Sequence, residues 1–177
     1  GTLTKGVFEV TDILTFSEDY KKERLLQLTA SLEQNSEHPI AQGIVKSADS
    51  LLEVNDFNSI TGKGIEGNID GLSVKVVSPG YLRENDIELP DDQYQTLSKQ
   101  GKTVVFVIIE GELKGAIALG DTIRQDSKIA INQLHDMGIE CIMLTGDNKQ
   151  TAAYVAKELG LDDYFAEVLP NEKADKI

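Results

Sequence analysis

A short polar turn is the first place in this sequence where the residue types could perform chemistry. It separates an apolar run at residues 139–144 from an amphipathic segment that begins at Lys149 and stops at Gly160. The run fits a strand that is buried on both faces, and the segment repeats apolar residues at helical spacing. Ligands of open α/β sheets bind at the carboxyl ends of the strands, and the N–H groups of a helix start favour an anion. The turn is therefore a candidate phosphate site, made of Thr145, Gly146, Asp147 and Asn148. An ordinary connection with Asp147 or Asn148 as the helix N-cap accounts for this stretch equally well.

Composition restricts the partners of the chain. The 177 residues carry a formal net charge of −13, and 40% of them are hydrophobic. Such an excess of acid argues against a nucleic-acid surface, so a polyanion must be bound locally, by backbone amides and a few lysines. Cys141 is the single cysteine, which excludes a disulfide framework and a Cys-rich metal site, and we interpret it as a core residue. No apolar run approaches the roughly 20 residues of a membrane helix.

The elements that should position these residues follow an α+β pattern in the first two thirds of the chain. Helical spacing predicts a helix at 17–35 with Ser17 as its N-cap, and a second helix after Pro39 that buries residues as far as Leu51. Alternation with period two predicts strands farther on, with a hairpin turn at Asp70-Gly71. The expected strands are 7–16, 57–60, 65–69, 72–77, 103–109 and 113–119, and a further helix is expected at 91–100.

After Gly120 the pattern alternates between helices and strands. The expected order is helix 123–137, strand 139–144, helix 149–160, strand 164–168 and the start of a helix at 171–177. This alternation predicts a parallel sheet. The change of pattern predicts one α+β domain inserted into an α/β domain.

Two strings imitate nucleotide-binding motifs in the wrong context. Residues 62–67 match GxGxxG, but residues 68–77 alternate as a hairpin, whereas the dinucleotide fingerprint must open a helix. The three glycines still let a ligand approach the backbone closely. Gly101-Lys102-Thr103 matches the end of a P-loop, but the earlier glycine is absent and a strand follows. Neither string is interpreted as the motif that it imitates.

Taken together and in order, several short strings resemble the motifs of P-type ATPases. The string GTLTKG at residues 1–6 is similar to the tail of the phosphorylation signature Asp-Lys-Thr-Gly-Thr-Leu-Thr. Residues 36–39, Ser-Glu-His-Pro, and the glycine loop at 62–67 are similar to nucleotide-domain motifs of the heavy-metal branch. Residues 145–148 and 170–173 resemble later phosphorylation-domain motifs. The first string and Ser78-Pro79-Gly80-Tyr81 most resemble copper-transporting ATPases of the CopB type.

The resemblance implies a chain of mixed class, α/β and α+β. It implies an incomplete haloacid-dehalogenase-like domain with a parallel sheet, the phosphorylation domain, at residues 1–9 and 117–177. The inserted nucleotide-binding domain, an antiparallel sheet with helices, would comprise residues 10–116. These expected boundaries agree with the change of pattern in the sequence.

The resemblance also implies a nucleotide site. His38 would stack on adenine, and Glu33 would accept a hydrogen bond from the adenine amino group. Gly62 and Gly64 would let the ribose and phosphates pass against bare backbone. Each residue has a plainer explanation: a structural histidine, a solvated helix face, and a tight turn between strands.

A phosphoryl-transfer site is implied at Thr2, Thr145, Gly146, Asp147 and Lys173. Thr2 and Thr145 would hydrogen-bond the transferring group, and Lys173 would neutralise its charge. Asp147 would lie near the junction of nucleotide and phosphate. Asp121 and Arg124 resemble the hinge-side Asp-x-x-Arg of the family, although a capped helix start explains them equally well.

The implied protein is the ATP-binding cytosolic part of an integral membrane pump that moves a heavy metal, copper in this case. ATP, Mg²⁺ and the remaining membrane and actuator domains of the parent pump would be its partners, and the fragment alone would be soluble and monomeric. The phosphorylated aspartate is expected before Gly1 and the magnesium motif after Ile177, so the Mg²⁺ site is incomplete. The fragment is therefore expected to bind ATP without full turnover, and no metal ligand is assigned within it.

Other functions are compatible with parts of this pattern. A capped phosphatase of the dehalogenase class would share Thr145 and Lys173 but would not require residues 36–39. A non-catalytic nucleotide-sensing module would need the adenine site alone. In most of the heavy-metal branch a Gly-Asn pair follows the third strand of the nucleotide domain, where this chain has Ser78-Pro79-Gly80, so a nucleotide contact differs there.

Overall fold

The computed structural model of the chain describes residues 2–89 and 93–168. Its elements, in chain order, are β1 (Thr4–Thr15), α1 (Lys22–Glu33), α2 (Pro39–Ser47), β2 (Asn55–Ile60), β3 (Gly64–Ile69), β4 (Leu72–Val77), α3 (Pro79–Glu84), α4 (Gln93–Lys99), β5 (Thr103–Ile109), β6 (Glu112–Ile123), α5 (Gln125–Asp136), β7 (Ile142–Leu144), α6 (Lys149–Leu159) and β8 (Asp163–Phe165). None of the described helices is long and apolar enough to cross a bilayer.

Six strands form one antiparallel sheet in the order β1-β6-β5-β4-β3-β2. In β5, Val104, Phe106 and Ile108 belong to the core under α3 and α4, whereas Val107 and Ile109 belong to the core under α1 and α2. Side chains of a strand point alternately to its two faces, so this sequence supplies both cores at once. Each such buried side chain contributes roughly 1.5–3 kcal/mol. The sheet is thereby packed on both faces.

The strands β1 and β6 form a long two-stranded ribbon at one edge of this sheet. Thr15 pairs with Gly115 at one end and Thr4 pairs with Ile123 at the other, with irregularities after Thr4 and after Val10. At the far end, Leu3 and Ile123 pack on a separate small core that contains Met143 and residues of α6. The ribbon thus runs from the large sheet to the β7–α6–β8 unit. The expected domain boundaries, after residue 9 and before residue 117, fall inside its strands.

The β7–α6–β8 unit has the parallel pairing that the sequence predicts. Ile142 pairs with Asp163, and Leu144 pairs with Phe165. The expectation that residues 139–144 are buried on both faces is wrong, because Ile139 is 44% and Ile142 is 50% exposed. Of β7, only Met143 is buried, because α6 covers a single face.

Several helix boundaries differ from the expected ones. Ser17 does not cap α1, which begins at Lys22; its hydroxyl instead accepts from Asp19 N in a turn. Leu51 lies beyond the end of α2 and is 42% exposed. The helix α3 was not expected, although Pro79 occupies its first turn, a position that proline favours. The helix expected at 171–177 lies outside the described residues.

Candidate functional site

A pocket of about 480 Å³ lies where the connection between α1 and α2 faces the glycine loop. Its wall includes the four residues that the resemblance assigns to nucleotide binding: Glu33, His38, Gly62 and Gly64. Ile60, Ile65 and Val76 add apolar surface to the same wall. Small-molecule pockets typically combine an apolar lining with a few polar groups, and this one has both.

His38 is the N-cap of α2. Its Nδ1 atom accepts a hydrogen bond from Ile40 N at 3.2 Å, and Pro39 follows it in the first turn. Because Nδ1 acts as an acceptor in this bond, a neutral ring carries its proton on Nε2. The cap therefore holds the imidazole in place while leaving its ring face and an N–H group for a ligand. The histidine is structural and borders the pocket at the same time.

Glu33 is the last residue of α1, and its carboxyl is largely buried. Burial raises the pKa of this carboxyl to about 7. Within residues 2–89 and 93–168, no donor is hydrogen-bonded to the carboxyl. Both the neutral and the charged form have an acceptor oxygen available, so the group can accept an N–H from a base.

The two glycines of the loop differ in what surrounds them. Gly62 has φ +68°, and a Cβ atom added to it would meet nothing within 4 Å. Gly64 has φ +152°, and its added Cβ would lie 2.1 Å from the carbonyl oxygen of Val76. The backbone is thus open to a ligand at Gly62, whereas Gly64 must be glycine for β3 to pair closely with β4.

The pocket wall also contains a cation, Lys63, that was not predicted from the sequence. Lys63 lies between the two glycines, and its ammonium forms an ion pair with Glu84. Its backbone is fixed as well, because Lys63 N donates to Ile60 O and Lys63 O accepts from Ser78 N, each at 2.8 Å. A lysine flanked by glycines was the available signal, since a cation next to open backbone suits an anionic ligand. Ser78 and Pro79, which stand where the resemblance leads us to expect a Gly-Asn pair, also line the pocket.

The turn after β7 is held by its own side-chain hydrogen bonds and by three backbone bonds to residues 165–168, at 2.9–3.0 Å. The hydroxyl of Thr145 donates to Asp147 Oδ2 at 2.7 Å and accepts from Asp147 N at 3.1 Å. Asn148 is the N-cap of α6, with its Oδ1 accepting from Thr151 N at 2.9 Å. Of the two caps considered from the sequence, Asn148 is therefore the one observed. Gly146 and Asp147 are exposed.

The remaining residues of the implied phosphoryl site are only partly described. Thr2 is exposed, and no hydrogen bond between described residues joins it to Thr145. Lys173 lies outside the described residues, so its assignment remains a prediction.

Asp121 and Arg124 join the two strands of the ribbon at the end that includes Thr4 and Ile123. Asp121 Oδ1 accepts from Gly6 N at 3.0 Å, and Arg124 Nε donates to Thr4 O at 3.1 Å. The explanation of these two residues as a capped helix start is wrong, because the side chain of Arg124, the N-cap of α5, makes no capping bond.

A second cavity, of about 490 Å³, separates the large sheet from α6. Asp147 and Asn148 border it, and Thr103 borders both this cavity and the first pocket. The two regions touch at Gly101, where an added Cβ would lie 2.7 Å from Thr151 Cα. The pocket and the turn are thus neighbours across one cleft.

The turn contains one carboxylate, Asp147. It belongs to no group of three or more His, Cys, Asp or Glu side chains with closely spaced ligand atoms, as far as residues 2–89 and 93–168 are concerned. Magnesium is usually held by one or two carboxylates, with water and substrate phosphates as its other ligands. A Mg²⁺ ion at this turn would therefore depend on ligands other than a cluster of protein side chains.

Comparison with known proteins identifies the class of this fold and site. Residues 1–175 match the haloacid dehalogenase-like hydrolases, and the chain belongs to that family. Within this class, it is 54% identical over 181 residues to the copper-exporting P-type ATPase B of Archaeoglobus fulgidus, covering 100% of this chain and 26% of that protein. The resemblance to P-type ATPases predicted from the motifs is thereby confirmed.

Solved structures agree with this assignment. A zinc-transporting PIB-type ATPase in the E2.Pi state matches with a TM-score of 0.90 and 34% identity, covering 100% of this chain and 29% of that one. The catalytic domain of the CPx-ATPase CopB-B, studied for conformational changes upon nucleotide binding, matches with a TM-score of 0.68 and 28% identity, covering 99% and 61%. The mixed fold class predicted from the sequence is confirmed. The chain spans about a quarter of the length of the curated relatives it matches.

Proposed function

We propose that this chain is the ATP-binding part of a copper-translocating P-type ATPase. The adenine would bind in the pocket beside Glu33 and His38, and the phosphates would pass Gly62 toward the turn at Thr145. The γ-phosphate would be presented to an aspartate ahead of Gly1 in the parent pump. The main support for the proposal is that the four residues predicted to bind the nucleotide line the same pocket.

The chemistry of the wall suits an adenine nucleotide. The ring of His38 is held by its cap and can stack on a base, and the carboxyl of Glu33 can accept the amino group. The open backbone at Gly62 and the ammonium of Lys63 suit the anionic part of the ligand. The base would therefore bind at one end of the pocket, and the phosphates would bind at the other end.

The division of the site between two regions supports a role for domain closure. Phosphoryl transfer depends mainly on positioning and on stabilisation of charge. With the base held on the large sheet and the phosphate at the turn after β7, transfer would require the cleft between them to close. Thr145, Gly146, Asp147 and Lys173 would act on the phosphate side, and Thr2 would complete that side.

The parent protein would be an integral membrane pump with this chain in the cytoplasm. Its membrane and actuator domains would be the partners of the chain, and ATP with Mg²⁺ would be its ligand, as in the P-type ATPase family generally. Copper is favoured as the transported metal because the 54% identity is to a copper-exporting protein, against 34% to a zinc-transporting one. We also expect the isolated chain to be soluble and monomeric.

Calorimetric titration with ATP and GTP tests the adenine site. GTP carries an oxygen where ATP carries the amino group, so a site that uses Glu33 as an acceptor should bind ATP more tightly. Equal affinity for both nucleotides would contradict the adenine assignment. Steady release of phosphate from ATP by this chain would favour a phosphatase instead.

A pair of variants separates the two roles of His38. His38→Asn keeps a good N-cap but removes the ring, whereas His38→Ala removes both. Both should weaken ATP binding by about 1–2 kcal/mol, or roughly 5–30-fold, the scale of one stacking contact and one hydrogen bond. Only His38→Ala should also lower the melting temperature. Normal ATP affinity in a folded His38→Asn variant would show that the ring does not bind the base.

A further inference from the structure

Three side chains of metal-binding type meet at the end of β7 that lies opposite the turn at Thr145. They are His135 near the end of α5, Cys141 just before β7 and Asp162 just before β8. One ligand atom from each lies within 4.8 Å of the other two. It is the only group of three or more such side chains in the part of the chain that the structure describes. Neither cavity described above includes any of the three.

Backbone contacts hold these three residues in place. Cys141 N donates to Asp162 Oδ2 at 2.7 Å, and Asp162 N donates to Cys141 O at 3.0 Å. The helix end is folded back by bonds from Gly138 N to His135 O and from Ile139 N to Leu134 O. The three residues are thus arranged by the fold itself, with no ion needed to assemble them.

The ligand atoms differ in burial in a way that suits an ion entering from one side. The side chains of His135 and Asp162 are 33% and 38% exposed, and Cys141 is 7% exposed. His135 Nε2 lies 2.8 Å from Asp162 Oδ2.

We propose that His135, Cys141 and Asp162 form a binding site for a borderline-soft divalent transition-metal ion, with Zn²⁺ as the best match. Zinc accepts a mixed set of nitrogen, thiolate and oxygen ligands at about 2.0–2.3 Å in a tetrahedral arrangement, which places ligand atoms about 3.3–3.8 Å apart. His135 and Asp162, now 2.8 Å apart, would separate by about half an ångström, and the sulfur of Cys141, within 4.8 Å of both, would approach them by up to about 1 Å. A water molecule would take the fourth position. Hard ions such as Mg²⁺ do not favour imidazole and thiolate.

Binding at this site would replace a hydrogen bond and release a proton. The contact between His135 and Asp162 opens, the imidazole nitrogen coordinates in its neutral form, and the thiol proton of Cys141 passes to solvent. Asp162 keeps the hydrogen bond from Cys141 N, which orients the carboxylate toward the ion.

A plainer explanation of the cluster is a hydrogen-bonded contact that joins α5 to the segment before β8. That explanation needs His135 and Asp162, and it leaves the thiol of Cys141 as a buried group that donates weakly to Ile139 O at 3.9 Å. Absorbance titration of the purified chain with Co²⁺ distinguishes the two, because a bound thiolate gives a charge-transfer band in the near ultraviolet. The chain has one cysteine and two histidines, so such a band can come only from Cys141.

The expected result is a charge-transfer band that saturates at one Co²⁺ per chain. Addition of Zn²⁺ should remove the band by displacing cobalt, and an excess of Mg²⁺ should leave it unchanged. Cys141→Ser should abolish the band. His135→Gln, on a half-exposed helix position that tolerates the change, should weaken Co²⁺ binding by at least about 10–100-fold, the loss that removal of even an outer-shell partner causes.

Matched control variants identify the ligands. His38→Ala removes the other histidine, and Asp163→Asn neutralises the carboxylate next to Asp162; both should bind Co²⁺ like the parent chain. Absence of the band, or a band that survives Cys141→Ser, would overturn the proposal. Equal loss of affinity in His38→Ala and His135→Gln would overturn it as well. Circular dichroism of each variant establishes that the protein under titration is folded.

Discussion

The pocket beside His38 and the turn at Thr145 differ in how the fold builds them. The pocket collects residues from α1, α2, the glycine loop and the end of β4, all held by a sheet that is packed on both faces. The turn is four consecutive residues, held by bonds within the turn and by three backbone bonds to residues 165–168 of the same unit, which has one small core. The first site draws on distant segments of the chain, whereas the second is built within one small unit.

This difference predicts where each site is vulnerable. A change in the packing of the large sheet should damage the pocket even when the residue changed touches no ligand. A change in the turn should stay within the β7–α6–β8 unit and the residues that follow it, because the hydrogen bonds of the turn are made there. Substitutions at Gly64, Glu33 and Asn148 test this contrast, from the largest expected effect to the smallest.

Gly64→Ala should give the largest loss of stability. The new Cβ would lie 2.1 Å from Val76 O, and overpacking together with unfavourable φ should cost about 3 kcal/mol of the free energy of unfolding. Urea denaturation measures the loss. The matched control is Gly62→Ala, where space is open and only φ strain of about 1 kcal/mol is expected. Similar losses in both variants would contradict the distinction between the two glycines.

Glu33→Gln should change the pH dependence of stability. The pKa of Glu33 is about 7 in the folded chain, above its ordinary value of 4.5, so folding favours the protonated form. The stability contributed by this group is fully present below about pH 4.5 and is lost as pH rises to about 7.

Glutamine cannot ionise, so the variant should gain on the parent chain by about 3 kcal/mol between pH 4.5 and pH 8, and the gain should level off above pH 7. Denaturation midpoints measured across this range provide the comparison. A constant difference between the two proteins would show that Glu33 is not buried as described.

Asn148→Ala should have the smallest effect. Loss of the cap on α6 should cost about 1 kcal/mol of stability, and ATP affinity at the pocket across the cleft should be unchanged. Asn148→Asp, which preserves a capping oxygen, should restore the stability. A fall in ATP affinity in the alanine variant would show that the turn and the pocket are coupled already in this form of the chain.

The sequence was sufficient for elements whose signals are local. Alternation in residues 103–119 located β5 and most of β6, and Asp70-Gly71 was correctly predicted as a hairpin turn. Asp70 and Gly71 have φ of 52° and 78°, the conformation that two-residue hairpin turns require. The turn at residues 145–148 was also visible in the sequence, because a strand, a polar break and a helix follow one another directly.

Features that depend on distant contacts were not visible in the sequence. Nothing in the spacing of Glu33, His38 and Gly62 shows that they line one pocket; the family resemblance suggested it. The N-cap role of His38 was missed because histidine is not among the usual capping residues. Exposure of Ile142 was missed because an apolar run does not reveal how many of its faces are covered.

The pairing of β1 with β6, which are far apart in the chain, has a consequence for the order of folding. Phe16 N donates to Lys114 O at 2.8 Å, so the ribbon closes a loop of roughly one hundred residues. Closing so long a loop in an unfolded chain costs about 4 kcal/mol in entropy before any ladder bond forms. Once residues 16–114 have folded, their ends are already adjacent and that cost has been met. We therefore expect the two long strands to zip from Thr15 and Gly115 toward Thr4, so that Leu3 reaches the small core last.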